Sequence, residues 1–160
     1  MIKVLFVCHG NICRSPMAEY LFKYYVSKKN TDKYFYIESC ATSREEIGNH
    51  IHYGTKKILD KYNIDARSKT ARQMTIADYN NFDYIIIMDR NNLYNLKYII
   101  GEDTKNKVHL FLEYANLNRD ISDPWYTGDF DKTESDIILG IKSFYKYLEE
   151  NDLIKWAFVI

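Results

Sequence analysis

Several residue types that would mark whole classes of protein are scarce in this chain. Its 160 residues hold three cysteines, two prolines and six glycines, and its charges cancel, with 22 Lys+Arg against 22 Asp+Glu. Three cysteines, two of them five residues apart at Cys8 and Cys13, cannot build the paired framework of a small secreted protein. A net charge of zero gives no bulk attraction to nucleic acid or to an anionic membrane surface, so any anion has to be recognised locally. No apolar run reaches the roughly 20 residues that a membrane-spanning helix needs. The opening run Ile2-Lys3-Val4-Leu5-Phe6-Val7 reads as a strand, not as an export leader, so the expected compartment is the cytoplasm, where a reactive thiol stays reduced. With 46% hydrophobic and 28% charged residues, residues 1–160 are expected to form one ordinary globular domain.

What is present is concentrated in Val7-Cys8-His9-Gly10-Asn11-Ile12-Cys13-Arg14-Ser15-Pro16. An apolar strand stops at Cys8, the chain loops, and a helix starts at Ser15-Pro16, with serine as the cap and proline in the first turn. A cysteine followed six positions later by an arginine lets the backbone N–H groups between them curl around one centre, above the sulfur and beside the guanidinium. Gly10 is free to take φ > 0 and Asn11 tolerates it, which suits a loop that turns its amides inward. The amide dipoles, Arg14 and the helix N-terminus all favour the anionic form of the Cys8 thiol. A bare Cys-x5-Arg pair would arise by composition in roughly one chain of this length in ten. Gly-Asn-x-Cys inside the loop and Ser-Pro after it, at a strand-to-helix junction, are what make it a phosphate cradle.

The rest of the chain reads as an alternation of strands and helices. Strands are predicted over 2–8, 34–40, 82–88 and 108–112, and helices over 16–28, 53–62, a short piece opened by Thr75-Ile-Ala-Asp78, 91–100 and 134–150. Residues 41–49 and 120–130 read as loops. This order implies an α/β fold: a single open parallel sheet of about four strands, covered by helices on both faces, with the phosphate-binding loop after the first strand. Ligands of such sheets bind beyond the carboxyl ends of the strands, where Cys8 lies. An apolar tail, Leu153 to Ile160, is expected to fold back on the core or to mediate weak self-association of an otherwise monomeric chain.

The second proline marks the second chemical feature, Asp123-Pro124-Trp125-Tyr126. Pro124 stiffens the backbone after Asp123, and the two aromatic residues are placed to desolvate the carboxyl, so Asp123 is the candidate acid for expelling an alcohol or phenol from phosphorus. His50 and His52 lack a third ligand nearby and read as solvated loop residues, so no metal or other cofactor is expected. Cys13 is close enough to Cys8 to trap an oxidised sulfur as a disulfide, or simply packs; Cys40 reads as structural.

With V-C-x-G-N-x-C-R-S-P near the N-terminus and Asp-Pro-Trp-Tyr downstream, the chain resembles the low-molecular-weight protein tyrosine phosphatases over residues 2 to about 150, including Ala71-Arg72-Gln73 and Asp83-Tyr-Ile. The resemblance implies a cysteine-dependent, metal-independent hydrolase of phosphotyrosine proteins or small aryl phosphates that releases inorganic phosphate. It implies Cys8 as nucleophile, Arg14 as clamp on the phosphoryl oxygens and Asp123 as general acid and then base. The loop residues His9, Gly10, Asn11, Ile12 and Cys13 would bind the phosphate with Arg14. Asn11 would hold the loop, Ser15 would donate to the Cys8 sulfur, and Asp89 would support the site.

Two departures from the family pattern stand out. Lys69 occupies the place of a histidine that braces the loop asparagine, and Arg44-Glu45-Glu46 stands where an aromatic usually walls the cleft. Glu45 and Glu46 are therefore expected to form an acidic rim opposite Trp125 and Tyr126. Among alternatives, an arsenate reductase needs further downstream cysteines, and a phosphocysteine carrier needs neither Arg14 nor Asp123. A phosphoarginine phosphatase, whose bacterial representatives carry a threonine where Ile12 stands, and a non-catalytic phosphoprotein-binding module remain to be weighed.

Overall fold

The N-terminal apolar run becomes the centre of a sheet in a computed structural model that describes residues 1–154. Strand β1 (Ile2–Cys8) pairs in parallel with β2 (Phe35–Ala41) on one side and with β3 (Tyr84–Ile87) on the other. β4 (Val108–Leu110) lies outside β3, giving the all-parallel order β2-β1-β3-β4. In chain order the helices are α1 (Arg14–Lys28), α2 (Tyr53–Asp60), α3 (Ile76–Asn81), α4 (Arg90–Ile100), α5 (Pro124–Thr127) and α6 (Phe130–Glu150).

The strands are apolar on both faces because both are covered. Val4, Phe6 and Cys8 of β1 share a core with Met17 and Phe22 of α1, Ile58 and Leu59 of α2, and Ile137 and Phe144 of α6. Leu5 and Val7 point the other way, into a second core with Tyr79 of α3 and Leu96 of α4. The chain runs outward from β1 in both directions, so the crevice between the carboxyl ends of β1 and β3 is the topological switch point. Cys8 ends the first of these strands and Asp89 follows the second.

Several boundaries differ from the sequence reading. Helix α1 begins at Arg14, with Cys13 rather than Ser15 at its cap and Pro16 as the third helical residue. The Met17 N–H already reaches the Cys13 carbonyl, which leaves Ser15 inside the first turn and facing Cys8. Strand β3 is shorter than its apolar run and β4 stops at Leu110. There the chain tightens into a 3-10 turn, Phe111–Ala115, because the Phe111 ring occupies the bare face of Gly140, where a Cβ would lie 2.7 Å away. The predicted loop over 120–130 contains the one-turn helix α5, and α6 starts at Phe130, capped by Asp129. Leu153 is partly exposed and Ile154 buried; the apolar tail beyond them, with its expected role in self-association, lies outside the described residues.

The segment that carries Asp123 is tied to this frame before it reaches the site. Ile121 donates its N–H to the Met88 carbonyl at 2.9 Å, and the Arg119 guanidinium makes two hydrogen bonds of 2.9 Å to Asp136 on α6. Those bonds hold the Asp136 carboxyl below the usual carboxylate range, against the opposing effect of its burial. A carboxylate with a lowered folded-state pKa contributes stability above its unfolded value, about 3.9, and loses it as the pH falls toward the folded value. Asp136→Asn is therefore expected to cost about 1–3 kcal/mol at neutral pH, with the deficit shrinking below about pH 4. Urea denaturation of both proteins at pH 7 and pH 3 measures it.

Candidate active site

The loop between β1 and α1 is built around the Cys8 sulfur. The backbone N–H groups of Asn11 and Ser15 point at Sγ from 3.3 and 3.4 Å, and the Ser15 hydroxyl lies 3.0 Å from it. Asn11 takes φ +60°, the left-handed turn that aims its amide inward. Gly10 does not adopt positive φ, contrary to the sequence reading. The turn falls one residue later because Asn11 has a side chain that can hold it.

That side chain is fully engaged. Its amide donates to Ser15 Oγ at 2.7 Å and Ser39 Oγ at 2.9 Å, and its carbonyl oxygen accepts the Arg72 N–H at 3.2 Å. Ser39 in turn donates to Glu19 at 2.6 Å. With Ser39 donating to Glu19, its oxygen is left to accept from Asn11; the Ser15 oxygen also accepts from Asn11, and its hydroxyl lies within reach of both the Cys8 sulfur and the Cys40 carbonyl, the latter at 3.4 Å.

Lys69, in the place of the bracing histidine, enters this relay. Its ammonium donates to the Ser39 carbonyl at 2.9 Å and lies 3.7 Å from Glu19, whose other oxygen pairs with Lys23 at 2.6 Å. Burial pushes the Lys69 ammonium below the ordinary lysine value and Glu19 opposes this. The loop is braced, with a lysine and a buried carboxylate acting through Ser39. Glu19 was invisible in the sequence, since a lone acid in a helix gives no sign that it is only 4% exposed. Ser39 was equally silent as a small residue in a strand.

Arg14 closes the other side. It is 2% exposed and makes 2.6 Å and 3.3 Å contacts to Asp89 and Asp123, with a 2.9 Å bond to the Ile121 carbonyl. Burial disfavours its cation, but Cys8, Asp89 and Asp123 outweigh that and raise its pKa above the ordinary arginine value. Its Nε is buried with no hydrogen-bond partner among the described residues. Asp89 does more than end a strand: its carboxylate also accepts the Asn92 N–H at 2.8 Å, capping α4.

Asp123 caps α5, accepting the Trp125 N–H at 3.0 Å, and Pro124 is the first helical residue. Trp125 and Tyr126 are 56% and 81% exposed, so they wall the opening and do not cover the carboxyl as the sequence had suggested. Cys8, His9, Gly10, Ile12, Cys13, Arg14, Glu45, Glu46, Asp123, Trp125 and Tyr126 line one pocket of about 320 Å³. Every predicted lining residue except Asn11 is there, and Asn11 sits behind the wall, 1% exposed.

The rim is more structured than a pair of solvated glutamates. His9 Nε2 lies 2.6 Å from Glu45, and Asn49 donates to Glu46 at 2.6 Å. The two cysteines of the loop are not equivalent: burial, with Cys8 and Asp123 adding to it, pushes the Cys13 thiol well up, and burial does the same to Cys40. His50 and His52 do not pair as a metal site; His50 bridges to Thr70 and His52 caps α2. A larger hollow of about 720 Å³ beside α2 gathers no cysteine, and its charges pair among themselves, Lys56 with Asp60 and Arg67 with Asp65.

A pocket floored by a sulfur, ringed by inward N–H groups and flanked by a buried guanidinium is a receptor for a tetrahedral oxyanion. Lys69→Met leaves Glu19 buried with Lys23 as its remaining ion-pair partner, so the relay should loosen. Stability is expected to drop by about 2–4 kcal/mol and affinity for inorganic phosphate about tenfold, with Lys69→His recovering most of both. Thermal denaturation and calorimetric titration with phosphate provide the check.

Comparison with known proteins agrees with this geometry. Residues 3–153 match the family model of low molecular weight phosphotyrosine protein phosphatases. The low molecular weight protein-tyrosine-phosphatase YfkJ of Bacillus subtilis is 40% identical over 134 residues, covering 82% of this chain and 86% of its own. The low molecular weight phosphotyrosine protein phosphatase of Schizosaccharomyces pombe is 42% identical over 130 residues, covering 79% and 83%. The crystal structure of YfkJ superposes with a TM-score of 0.89 at 36% identity over 94% of this chain and 96% of that one. That of the Streptococcus pyogenes enzyme superposes with a TM-score of 0.81 at 43% identity over 97% and 100%. With its cysteine loop, buried arginine and helix-capping aspartate on this sheet, the chain belongs to the low-molecular-weight phosphotyrosine protein phosphatase family.

Proposed function

We propose that this protein hydrolyses phosphotyrosine in proteins, or small aryl phosphates, through a phosphocysteine on Cys8. The observation that carries the reading is the convergence of the Cys8 sulfur, Arg14 and Asp123 on one pocket. Cys8 Sγ attacks phosphorus as the P–O bond to the phenol breaks, and the carboxyl of Asp123 gives its proton to the departing oxygen. Arg14 and the loop amides hold the equatorial oxygens, where negative charge is spread in the transition state. Water then attacks phosphorus, Asp123 takes its proton, the S–P bond breaks and inorganic phosphate leaves. Each step uses groups of this chain and water.

Substrate choice follows from the walls. Trp125 and Tyr126 suit a phenyl ring, and a phosphoserine would hold its phosphorus too shallow for the sulfur. The apolar Ile12 in the loop supports an aromatic leaving group over phosphoarginine. Cys13 is the candidate resolving thiol for an oxidised Cys8; burial holds it protonated, so it does not compete as nucleophile in turnover, and capture of the oxidised sulfur requires that it first lose its proton. A thiolate nucleophile requires a reducing compartment, which supports the cytoplasm; among the described residues no helix is long and apolar enough to cross a membrane.

Cys8→Ser and Arg14→Ala should each lower kcat/KM on a phosphotyrosine peptide by more than about three orders of magnitude while the protein stays folded. Appreciable turnover by folded Cys8→Ser would refute the covalent route, and faster release of phosphate from phosphoarginine than from phosphotyrosine would refute the substrate class. At the rim, Glu45 is paired with His9 and Glu46 with Asn49, so the preference for basic residues flanking the phosphotyrosine should be small. Exposed pairs contribute about 0–1 kcal/mol each, which amounts to a few-fold in kcat/KM at low salt. Comparing lysine-flanked with glutamate-flanked peptides on the wild type and on Glu45→Gln/Glu46→Gln tests it; an unchanged ratio removes the glutamates from recognition.

A further inference from the structure

The phosphate loop and the Asp123 turn lie more than a hundred residues apart in the chain, and one residue outside the pocket touches both. The backbone N–H of His52 donates to the Ile12 carbonyl of the phosphate loop at 2.9 Å. Three residues on, the buried Thr55 hydroxyl donates to the Cys13 carbonyl at 3.0 Å, so the start of α2 is strapped to the loop twice. The His52 ring points the other way. It stacks on Phe130, the first residue of α6, at 5.0 Å and 20°, and meets the Trp125 ring edge-on at 5.6 Å and 80°. Tyr53 covers it from the other side at 4.8 Å and 26°.

The ring has little freedom to leave this position. Its Nδ1 accepts the Gly54 N–H at 2.9 Å, which makes it the cap of α2 and fixes the plane of the imidazole. Gly54 has no side chain to interfere: a Cβ there would lie 2.5 Å from the Phe130 ring, so the stack needs a glycine at this point. Trp125 is thus held between the catalytic pocket on one side and a cavity of about 420 Å³ on the other, the second lined by His52, Tyr53 and Phe130. Asp123 is two residues before Trp125 and is bonded to its N–H, so a shift of Trp125 carries the carboxylate with it.

We propose that His52 is a positioning residue for the reaction: it ties the turn that carries Asp123 to the loop that carries Cys8, and so sets the reach of the acid toward the leaving oxygen. The inference rests on the reading of Asp123 as the acid. Its consequence is specific. If the imidazole ring is lost, proton delivery suffers while phosphate binding and sulfur attack do not, so substrates with poor leaving groups should be penalised more than those with good ones. A residue that merely stabilised the fold would lower both alike.

The test is kcat/KM on p-nitrophenyl phosphate and on phenyl phosphate, since this constant covers the steps through departure of the phenol. His52→Asn and His52→Ser can both cap a helix and both lack the ring. Either one, shown folded by its melting curve, is expected to lose about tenfold more on phenyl phosphate than on p-nitrophenyl phosphate. His52→Phe keeps the ring and loses the cap, so its melting temperature should fall while the ratio of the two substrates stays at the wild-type value. A wild-type ratio in the ringless variants overturns the proposal, as does a His52→Phe ratio shifted as far as theirs. Asp123→Asn is run alongside and should show the largest shift. If Asp123→Asn leaves the ratio unchanged, the acid assignment fails and takes this inference with it; a shift in Asp123→Asn beside an unchanged ratio in His52→Asn overturns the role of His52 alone.

Discussion

The buried guanidinium of Arg14 is the constraint to which the rest of the site conforms. A cation that is 2% exposed would cost several kcal/mol to bury unpaired, and here Asp89, Asp123 and the Ile121 carbonyl answer it. Those partners come from the end of β3 and from the segment before α5, far apart in the chain. Their attraction to one cation brings the turn carrying the acid over the strand carrying the thiol. The interaction stabilises the fold and aligns the chemistry through the same atoms. It also explains why the Asp123 segment is anchored so heavily beforehand, by Arg119 on Asp136 and by Ile121 on Met88. An exposed turn of four residues could not be held in place by a single 3.3 Å contact.

Behind the loop a second set of charges works at longer range. The Cys8 sulfur, Ser15, Asn11, Ser39 and Glu19 form a line of hydrogen bonds ending on a carboxylate that can only accept and so orients Ser39 and the Asn11 amide. Lys69 balances that carboxylate and is itself tied to the Ser39 carbonyl. A lysine can stand where an imidazole is the family habit because the position calls for a cation facing Glu19 and a donor facing a carbonyl. An ammonium on a flexible stem meets both demands. Asn11 does not touch Lys69 directly, so the change in shape is absorbed by Ser39 before it reaches the loop.

How much of this could be read from the sequence depended on the range of the interaction. Cys8, Arg14, Asn11 and Ser15 lie within eight positions, and their spacing alone defines a cradle; the all-parallel sheet followed from continuous apolar runs alternating with helical periods. Asp123 was legible because proline and aromatics mark it. The start of α1 was not, since the loop geometry around Cys13 outweighed the ordinary cap preference of Ser15. Glu19, Ser39 and His52 were missed for a different reason: each acts through a neighbour that is remote in sequence, and each belongs to a residue type with a commoner, ordinary use at such a place. His50-x-His52 invited a metal reading or a solvent reading. In the structure His52 caps α2, although histidine is not among the usual cap residues, and its ring meets Trp125 edge-on, a contact between segments too remote in sequence to leave a pattern.

The contrast between floor and rim follows from the same distances. At the floor every polar group of Asn11 is satisfied from inside the fold and Asp89 serves both Arg14 and α4, so a substitution there leaves at least one buried partner unsatisfied. At the rim, among the described residues, the Glu45 and Glu46 carboxylates meet His9 and Asn49, in solvent-exposed pairs that contribute little to stability. Change is cheap at the rim and costly at the floor. Rim and floor are nonetheless joined: the Thr42 and Ser43 N–H groups donate to the Cys8 and His9 carbonyls at 2.9 and 3.0 Å, and His9 meets Glu45 beyond them. It is this backbone ladder, not the exposed pair, that fixes where the acidic wall stands relative to the sulfur, so the glutamates can change without moving the loop.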